Sequence, residues 1–275
     1  MKKIVGIRGS FDDIRARHIR FFQEASGQGR VHLFLEDDSP ARETHSPEPR
    51  LPFAEREYYL SAIRYITSIS SVRRGIDINT LPLSSIKPDI WCVFEEENSP
   101  EKRAFCRNAG IGYTVINEEN LRTFPQASTM PSGDGVRSGT KKVLVTGCYD
   151  WFHSGHIRFF EEASEFGDLY VIVGSDANLR LLKGEGHPLF SEAERRYIAG
   201  AVKFVKQALV STGRGWLDAE PEIRKIQPDI YVVNEDGDKP EKRQFCEEMG
   251  IEYVVLQRTP KEGLPKRTST NLRGF

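Results

Sequence analysis

The sequence predicts an α/β protein of two tandem domains, each a doubly wound parallel sheet, related by internal duplication. Three observations carry this. "GSFDDIRARHIRFFQEAS" (Gly9 to Ser26) returns, with more than half of its letters, as "GCYDWFHSGHIRFFEEAS" (Gly147 to Ser164). "IKPDIWCVFEEENSPEKRAFCRNAGIGYTVI" from Ile86 aligns without a gap to "IQPDIYVVNEDGDKPEKRQFCEEMGIEYVVL" from Ile226, and about half of the positions are identical. Along both halves, short apolar runs alternate with amphipathic stretches, the pattern of strands buried on both faces beneath helices.

The elements follow in order. "MKKIVGIRGSFDD" holds a short apolar run closed off by acids, so it reads as a first strand and not as a signal peptide. "AEREYYLSAIRYI" from Ala54 answers "AERRYIAGAVKFV" from Ala193, and the offset stays near 139 residues throughout. In the second half, "KKVLVTG", "LYVIVGS", "QALVS", "DIYVVN" and "EYVVL" are strands. "SGHIRFFEEASEF", "SEAERRYIAGAVKFV", "DAEPEIRKI" and "KPEKRQFCEEM" are helices. Ser191 and Glu194 make a capping box, and Gly250 stands where a glycine ends a helix. "DDSPARETHSPEPRLP" and its counterpart "SDANLRLLKGEGHPLF" read as loops. "QASTMPSGDGVRSGT" (Gln126 to Thr140), rich in Gly, Ser and Pro, reads as a linker. The expected division is 1–127, a linker at 128–140, and 141–275. Right-handed crossovers make each domain Rossmann-like, with its ligand crevice beyond the carboxyl ends of the strands.

Composition narrows the function. The formal charge is −1 with acids and bases interspersed, which argues against a nucleic-acid or anionic-membrane surface. No apolar run approaches the roughly 18 residues of a membrane helix. Cys92, Cys106, Cys148 and Cys246 have no CxxC spacing, and Cys106 and Cys246 fall at matching places, so they read as small buried side chains. A reduced, cytoplasmic setting is the expectation.

The chemistry concentrates in the second half. Strand "VLVTG" ends, a short turn follows, and a helix begins near Ser154. His153 and His156, three apart, share its first turn and can donate hydrogen bonds to phosphate oxygens. Gly155 lets a ligand approach the backbone, and a helix N-terminus suits an anion. At the other end, "LPKRTSTNLRGF" supplies the hydroxyls of Thr268, Ser269 and Thr270 where a final helix would be capped, with Arg273 three residues on. Lys183, in the Gly-rich "LLKGEGHPLF", is a third cationic candidate. Each piece alone has a plain reading as helix surface, exposed cap or solvated arginine. Cys148, His153 and His156 would also suit zinc.

Together, "GCYD" followed by "HSGH", the central "SEAER" and the late "RTSTNLR" resemble the cytidylyltransferase-like nucleotidyltransferases, over essentially all of 141–275 and more loosely over 1–127. The tandem arrangement is similar to that of the ethanolamine-phosphate cytidylyltransferases, whose first domain does the chemistry. The resemblance implies attack by the oxygen of a small phosphate monoester or phosphonate on the α-phosphorus of a nucleoside triphosphate, releasing pyrophosphate, with Mg²⁺. It implies that His153 and His156 hold the triphosphate, that Lys183 bridges it to the acceptor, and that Thr268, Ser269, Thr270 and Arg273 grip its distal phosphates. Gly147, Cys148 and Tyr149 would form the first turn of the nucleotide site, Asp150 would fix that turn, and Arg195 would contact phosphate or substrate. Cys148 stands where Thr or Ser is usual and Tyr149 where Phe is usual. "KFVKQAL" and "VVNEDGD" also depart from the cytidylyltransferase pattern, so CTP is favoured with ATP close behind. An adenylyltransferase of the same fold and a nucleotide sensor without turnover are the alternatives.

The first copy answers differently. Arg15 replaces His153, Arg17 replaces Gly155, and only His18 survives of the pair. Ser128 and Thr129 have no arginine at the spacing of Arg273, and no lysine answers Lys183. It reads as a non-catalytic twin, either regulatory or a fused partner that covers apolar surface. An internal pseudo-dimer, joined around "YLSAIRYI" and "YIAGAVKFV", is the expected arrangement.

Overall fold

A computed structural model describes residues 2–39, 49–75, 86–125, 140–268 and 272. The chain separates into two units, Met1–Phe124 and Pro125–Phe275. The linker at 126–139, and with it Ser128 and Thr129, lies outside the described residues, as do Ser269, Thr270 and Arg273.

The first unit runs β1 (Ile4–Gly9), α1 (Ala16–Ser26), β2 (Arg30–Glu36), α2 (Phe53–Ser61), β3 (Ile66–Val72), β4 (Ile90–Phe94), α3 (Pro100–Ala109), β5 (Gly112–Ile116) and α4 (Glu118–Leu121). Its sheet is parallel, in the order β3-β2-β1-β4-β5. The second unit runs β6 (Lys142–Gly147), α5 (Ser154–Ser164), β7 (Asp168–Val173), α6 (Asp176–Lys183), α7 (Glu192–Ala201), β8 (Val205–Val210), α8 (Glu220–Ile226), β9 (Ile230–Asn234), α9 (Pro240–Met249) and β10 (Glu252–Leu256). Its sheet is parallel too, in the order β10-β9-β6-β7-β8. Each unit therefore places its first strand centrally, with the order reversing beside it. That reversal opens a crevice at the carboxyl ends of the strands.

The strands are apolar because both faces are covered. Val143, Leu144, Val145, Val171 and Val173 have no exposed surface. Cys246 packs with Phe245, Ile223 and Tyr231 beneath α8 and α9, and Cys106 fills the matching place beside Trp91 and Val93. Local signals hold where they were legible. Ser191 and Glu194 cap α7 reciprocally, and Gly250 ends α9 at φ 68°.

Two elements differ from the sequence reading. The stretch around Lys183 is not all loop, because α6 forms there. Ser175 caps it by accepting a hydrogen bond from the Asn178 N–H at 3.2 Å, and Asn178 and Leu179 are buried. Only eight residues long and rich in polar letters, it shows too little periodicity to stand out from the glycines that follow. The helix expected through Val205 stops at Ala201, where Val202 turns to extended backbone, and β8 begins at Val205.

Candidate active site

The site begins where β6 ends. Gly147 is followed by Cys148 and by Tyr149, whose φ is 52°. A side chain in this left-handed region is uncommon, and here the turn is held by packing. The Tyr149 ring folds back over Gly147, so close that a Cβ on Gly147 would sit 2.6 Å from Cζ. Asp150 then accepts the N–H groups of Leu189 and Phe190 at 2.8 and 3.0 Å, tying the turn to the segment before α7. The first unit repeats the device. Phe11 has φ 48°, and Asp12 accepts from Arg50 and Leu51.

The turn delivers His153 to the N-cap of α5. Its Nδ1 accepts the Gly155 N–H at 3.1 Å, and the His153 N–H is donated to Nδ1 of His156 at 3.3 Å. The two rings stack with centroids 3.9 Å apart. His153 is 4 % exposed, and burial beside Arg258 and Arg267 lowers its pKa to about 3. Burial also pushes His156 well below the usual range, helped by His153, Arg258 and Lys183. Both imidazoles are thus neutral at pH 7. With each Nδ1 spent as an acceptor, the proton of each ring resides on Nε2. Among the described residues, Nε2 of His153 is buried with no partner, and an unpaired buried donor costs on the order of 1–3 kcal/mol.

Gly155 has a reason beyond ligand approach. A Cβ there would lie 2.9 Å from Cε1 of His153 and 3.0 Å from its Nδ1. The glycine and the histidine are therefore one requirement, and the first unit, with Arg15 and Arg17, lacks both together.

Gly147, Cys148, Tyr149, Asp150, Gly155 and His156 line a cleft of about 690 Å³. Lys183 and Thr268 also line it. Lys183 does so from the last residue of α6, not from a loop. The chain after β10 returns to this point. Arg258 donates to Asp236 at 2.6 Å and to the Arg267 carbonyl at 3.2 Å. The Thr268 carbonyl accepts the Leu272 N–H at 3.3 Å. Cations from two distant segments, α6 and the chain after β10, thus gather around the α5 N-terminus.

Arg195 corrects the sequence reading. It does not face the cleft, and its side chain has no exposed surface. Its guanidinium donates to the carbonyls of Phe190, Cys148 and Gly174 at 2.9, 2.6 and 2.8 Å, and to Asp176 at 2.7 Å. Four of its five N–H donors are so engaged, and the wholly buried side chain cannot reach a ligand in the cleft. It braces the ends of β6 and β7 against α6. Arg56 does the same in the first unit, donating to Leu51, Ser10, Glu36 and Asp38.

Arg258, Lys242, Trp216 and Asp236 line the cleft and escaped the sequence reading. A signal for Arg258 existed. It lies just past the last strand, and its counterpart is Glu118, a reversal of charge. In the first unit Arg17 fills the matching crevice and donates to Glu96 and Glu118 at 2.7 and 2.8 Å. An internal ion-pair cluster occupies that place in the first unit. The zinc reading finds no support in the geometry, since both Nδ1 atoms are occupied. Among the described residues, no group of three His, Cys, Asp or Glu side chains is placed to hold a metal.

The family described as cytidylyltransferase-like matches residues 144–271. FAD synthase of Ferroglobus placidus is 35 % identical over 125 residues, covering 44 % of this chain and 78 % of that protein. Bifunctional protein HldE of Geotalea uraniireducens is 28 % identical over 172 residues, covering 61 % of this chain and 31 % of that protein. Its counterpart in Campylobacter curvus is 36 % identical over 100 residues, covering 36 % and 21 %. The chain thus spans less than a third of the length of these HldE proteins. Among the described residues no helix is long and apolar enough to cross a membrane.

Proposed function

The chain belongs to the cytidylyltransferase-like family of nucleotidyltransferases, and from that premise we propose that its second unit transfers a nucleoside monophosphate to a small phosphate monoester or phosphonate. An acceptor oxygen attacks the α-phosphorus, the bond to the β-phosphate oxygen breaks, and pyrophosphate leaves. The observation that carries this is the buried Nε2 of His153, unpartnered among the described residues, beside a neutral His156 at a helix N-terminus among Lys183, Arg258 and Arg267. Preorganised N–H donors of this kind stabilise charge developing on phosphates. His153 and His156 would hold the triphosphate, Lys183 would join it to the acceptor, and Arg258 with Thr268 would hold its distal phosphates. Ser269, Thr270 and Arg273 join that set by resemblance alone. Mg²⁺ would arrive with the triphosphate as part of the substrate. CMP is the favoured group, and AMP is the alternative.

The first unit is its non-catalytic twin, derived by duplication. The shared strand order, the Arg56–Arg195 braces and the Phe11–Tyr149 turns support this. The test is pyrophosphate release by the purified chain from CTP, ATP, GTP and UTP against a panel of phosphate monoesters and phosphonates. A nucleotide that binds without pyrophosphate release in any combination would make the protein a sensor.

A further inference from the structure

Lys242 is the cation of the cleft that the phosphate machinery leaves unused. It lines the cleft from α9 and is half-buried. Its Nζ donates to the Gly237 carbonyl at 3.3 Å, and among the described residues no carboxylate lies within ion-pair distance. The charges that bear on His156 are His153, Arg258 and Lys183, whereas those that bear on Lys242 are led by Asp218 and Lys239. Lys242 lies 5.7 Å over the Tyr231 ring of β9, whereas the histidines stand at the N-terminus of α5.

The first unit carries an acid at the matching place. Lys102 occupies the same place in "SPEKR" and donates to the Glu97 carbonyl at 2.8 Å. There the residue answering Gly237 is Glu97, whose carboxyl pKa desolvation pushes up, an effect the Lys102 charge partly offsets. The second unit keeps the lysine and deletes the acid. The fold does not require that deletion. A Cβ on Gly237 would meet nothing closer than 3.9 Å, and its φ is ordinary. With no acid at 237, the Lys242 ammonium at the cleft keeps the Gly237 carbonyl and the Tyr231 ring, 5.7 Å away, as its neighbours.

Three neighbours indicate what the ammonium holds. Asp218 lines the same wall and accepts the Ser211 hydroxyl at 2.6 Å. Trp216 lines it as well and is 58 % exposed. Lys239 lies 5.4 Å over the Trp216 ring. A carboxylate ligand would meet Asp218. A cationic head would meet Lys242, and would find the indole face already taken by a cation. A hydroxyl accepts from an ammonium and donates to a carboxylate at once, so it satisfies both.

We propose that Lys242 is a specificity-determining residue that holds a hydroxyl at the distal end of the acceptor, so that the acceptor is a hydroxylated phosphate monoester and not an amino-alcohol phosphate. This rests on the second unit being a nucleotidyltransferase. The experiment measures pyrophosphate release by the full chain with glycerol 3-phosphate, glucose 1-phosphate, mannose 1-phosphate, phosphoethanolamine and phosphocholine. It compares the parent with Lys242→Met and Gly237→Glu, the second of which places at 237 the acid that the first unit carries at 97, in space the fold already provides. Hydroxylated acceptors should be preferred. Both variants should raise the acceptor KM about 10-fold or more, while the nucleotide dissociation constant stays within about twofold; 10-fold corresponds to about 1.4 kcal/mol. Preference for phosphoethanolamine or phosphocholine overturns the inference alone. So does a weakened nucleotide with an unchanged acceptor KM, which would assign Lys242 to the nucleotide. Absence of pyrophosphate release from the parent with every acceptor overturns the inference together with the reading it rests on.

Discussion

Arg195→Met isolates the brace from the ligand site. The substitution keeps the length of the side chain and removes every donor. Three carbonyls and the Asp176 carboxylate lose their partner, and the side chain that leaves is wholly buried. Each orphaned buried group costs on the order of 1–3 kcal/mol. The Gly174 carbonyl sits in the driest part of the contact, while Asp176 is partly exposed and re-solvates. Breaking a buried ion pair from one side costs roughly 3–5 kcal/mol, and that is the expected loss here. For a domain of about 150 residues this lowers Tm by roughly 6–20 °C. Urea unfolding followed by tryptophan fluorescence reads it, with Trp151 and Trp216 reporting on the second unit and Trp91 on the first. Arg56→Met should lower the Trp91 transition by a similar amount and leave nucleotide affinity alone. The reasoning fails if Arg195→Met unfolds within about 0.5 kcal/mol of the parent, the range of a plain surface change, yet loses 10-fold or more in nucleotide affinity. Arg195 would then be the phosphate contact that the sequence reading expected.

His156→Ala should fold and lose roughly 10²–10³-fold in pyrophosphate release, the usual effect of removing one donor aimed at developing charge; full turnover in a folded variant contradicts the site. His18→Ala should leave turnover within about twofold, because Arg17, Glu96 and Glu118 fill the cradle of the first unit with their own ion pairs, and a loss matching that of His156→Ala would make that unit a second working site. Stability should fall with acid before the carboxylates titrate. His153 titrates at about 3 and His18 at about 4 when folded, against about 6.5 unfolded, and His156 is depressed likewise. Between those values the unfolded chain binds the extra protons, so the stabilisation is complete above about pH 6.5 and drains away as pH drops toward 4. Urea midpoints at pH 7 and pH 5 should differ in that direction, and equal midpoints would mean that the histidines are not buried neutral.

Much of this protein is legible along the chain. The period of the apolar runs dictates strands buried on both faces, because alternation with amphipathic stretches leaves no other way to cover them. The repeat displays the asymmetry directly. The first copy keeps "HIRFF" and carries two arginines where the second has His153 and Gly155, the residues proposed to cradle phosphate. Capping at Ser191 and the glycine at 250 are local, and local rules found them. Other features arise only when distant segments meet. Arg195 looks like a ligand contact in "SEAER", and only its hydrogen bond to Cys148, 47 residues away, shows it to be a brace. Arg258 and Thr268 reach the α5 N-terminus because β10 lies at one edge of the sheet and the chain after it turns back to β6. Lys242 lines the cleft with no carboxylate within ion-pair distance among the described residues, where position 237 is glycine and its counterpart is Glu97. A sequence states which charges exist; their partners are set by the crossings of the sheet, and a charge acts on a ligand only where folding has left it unpaired.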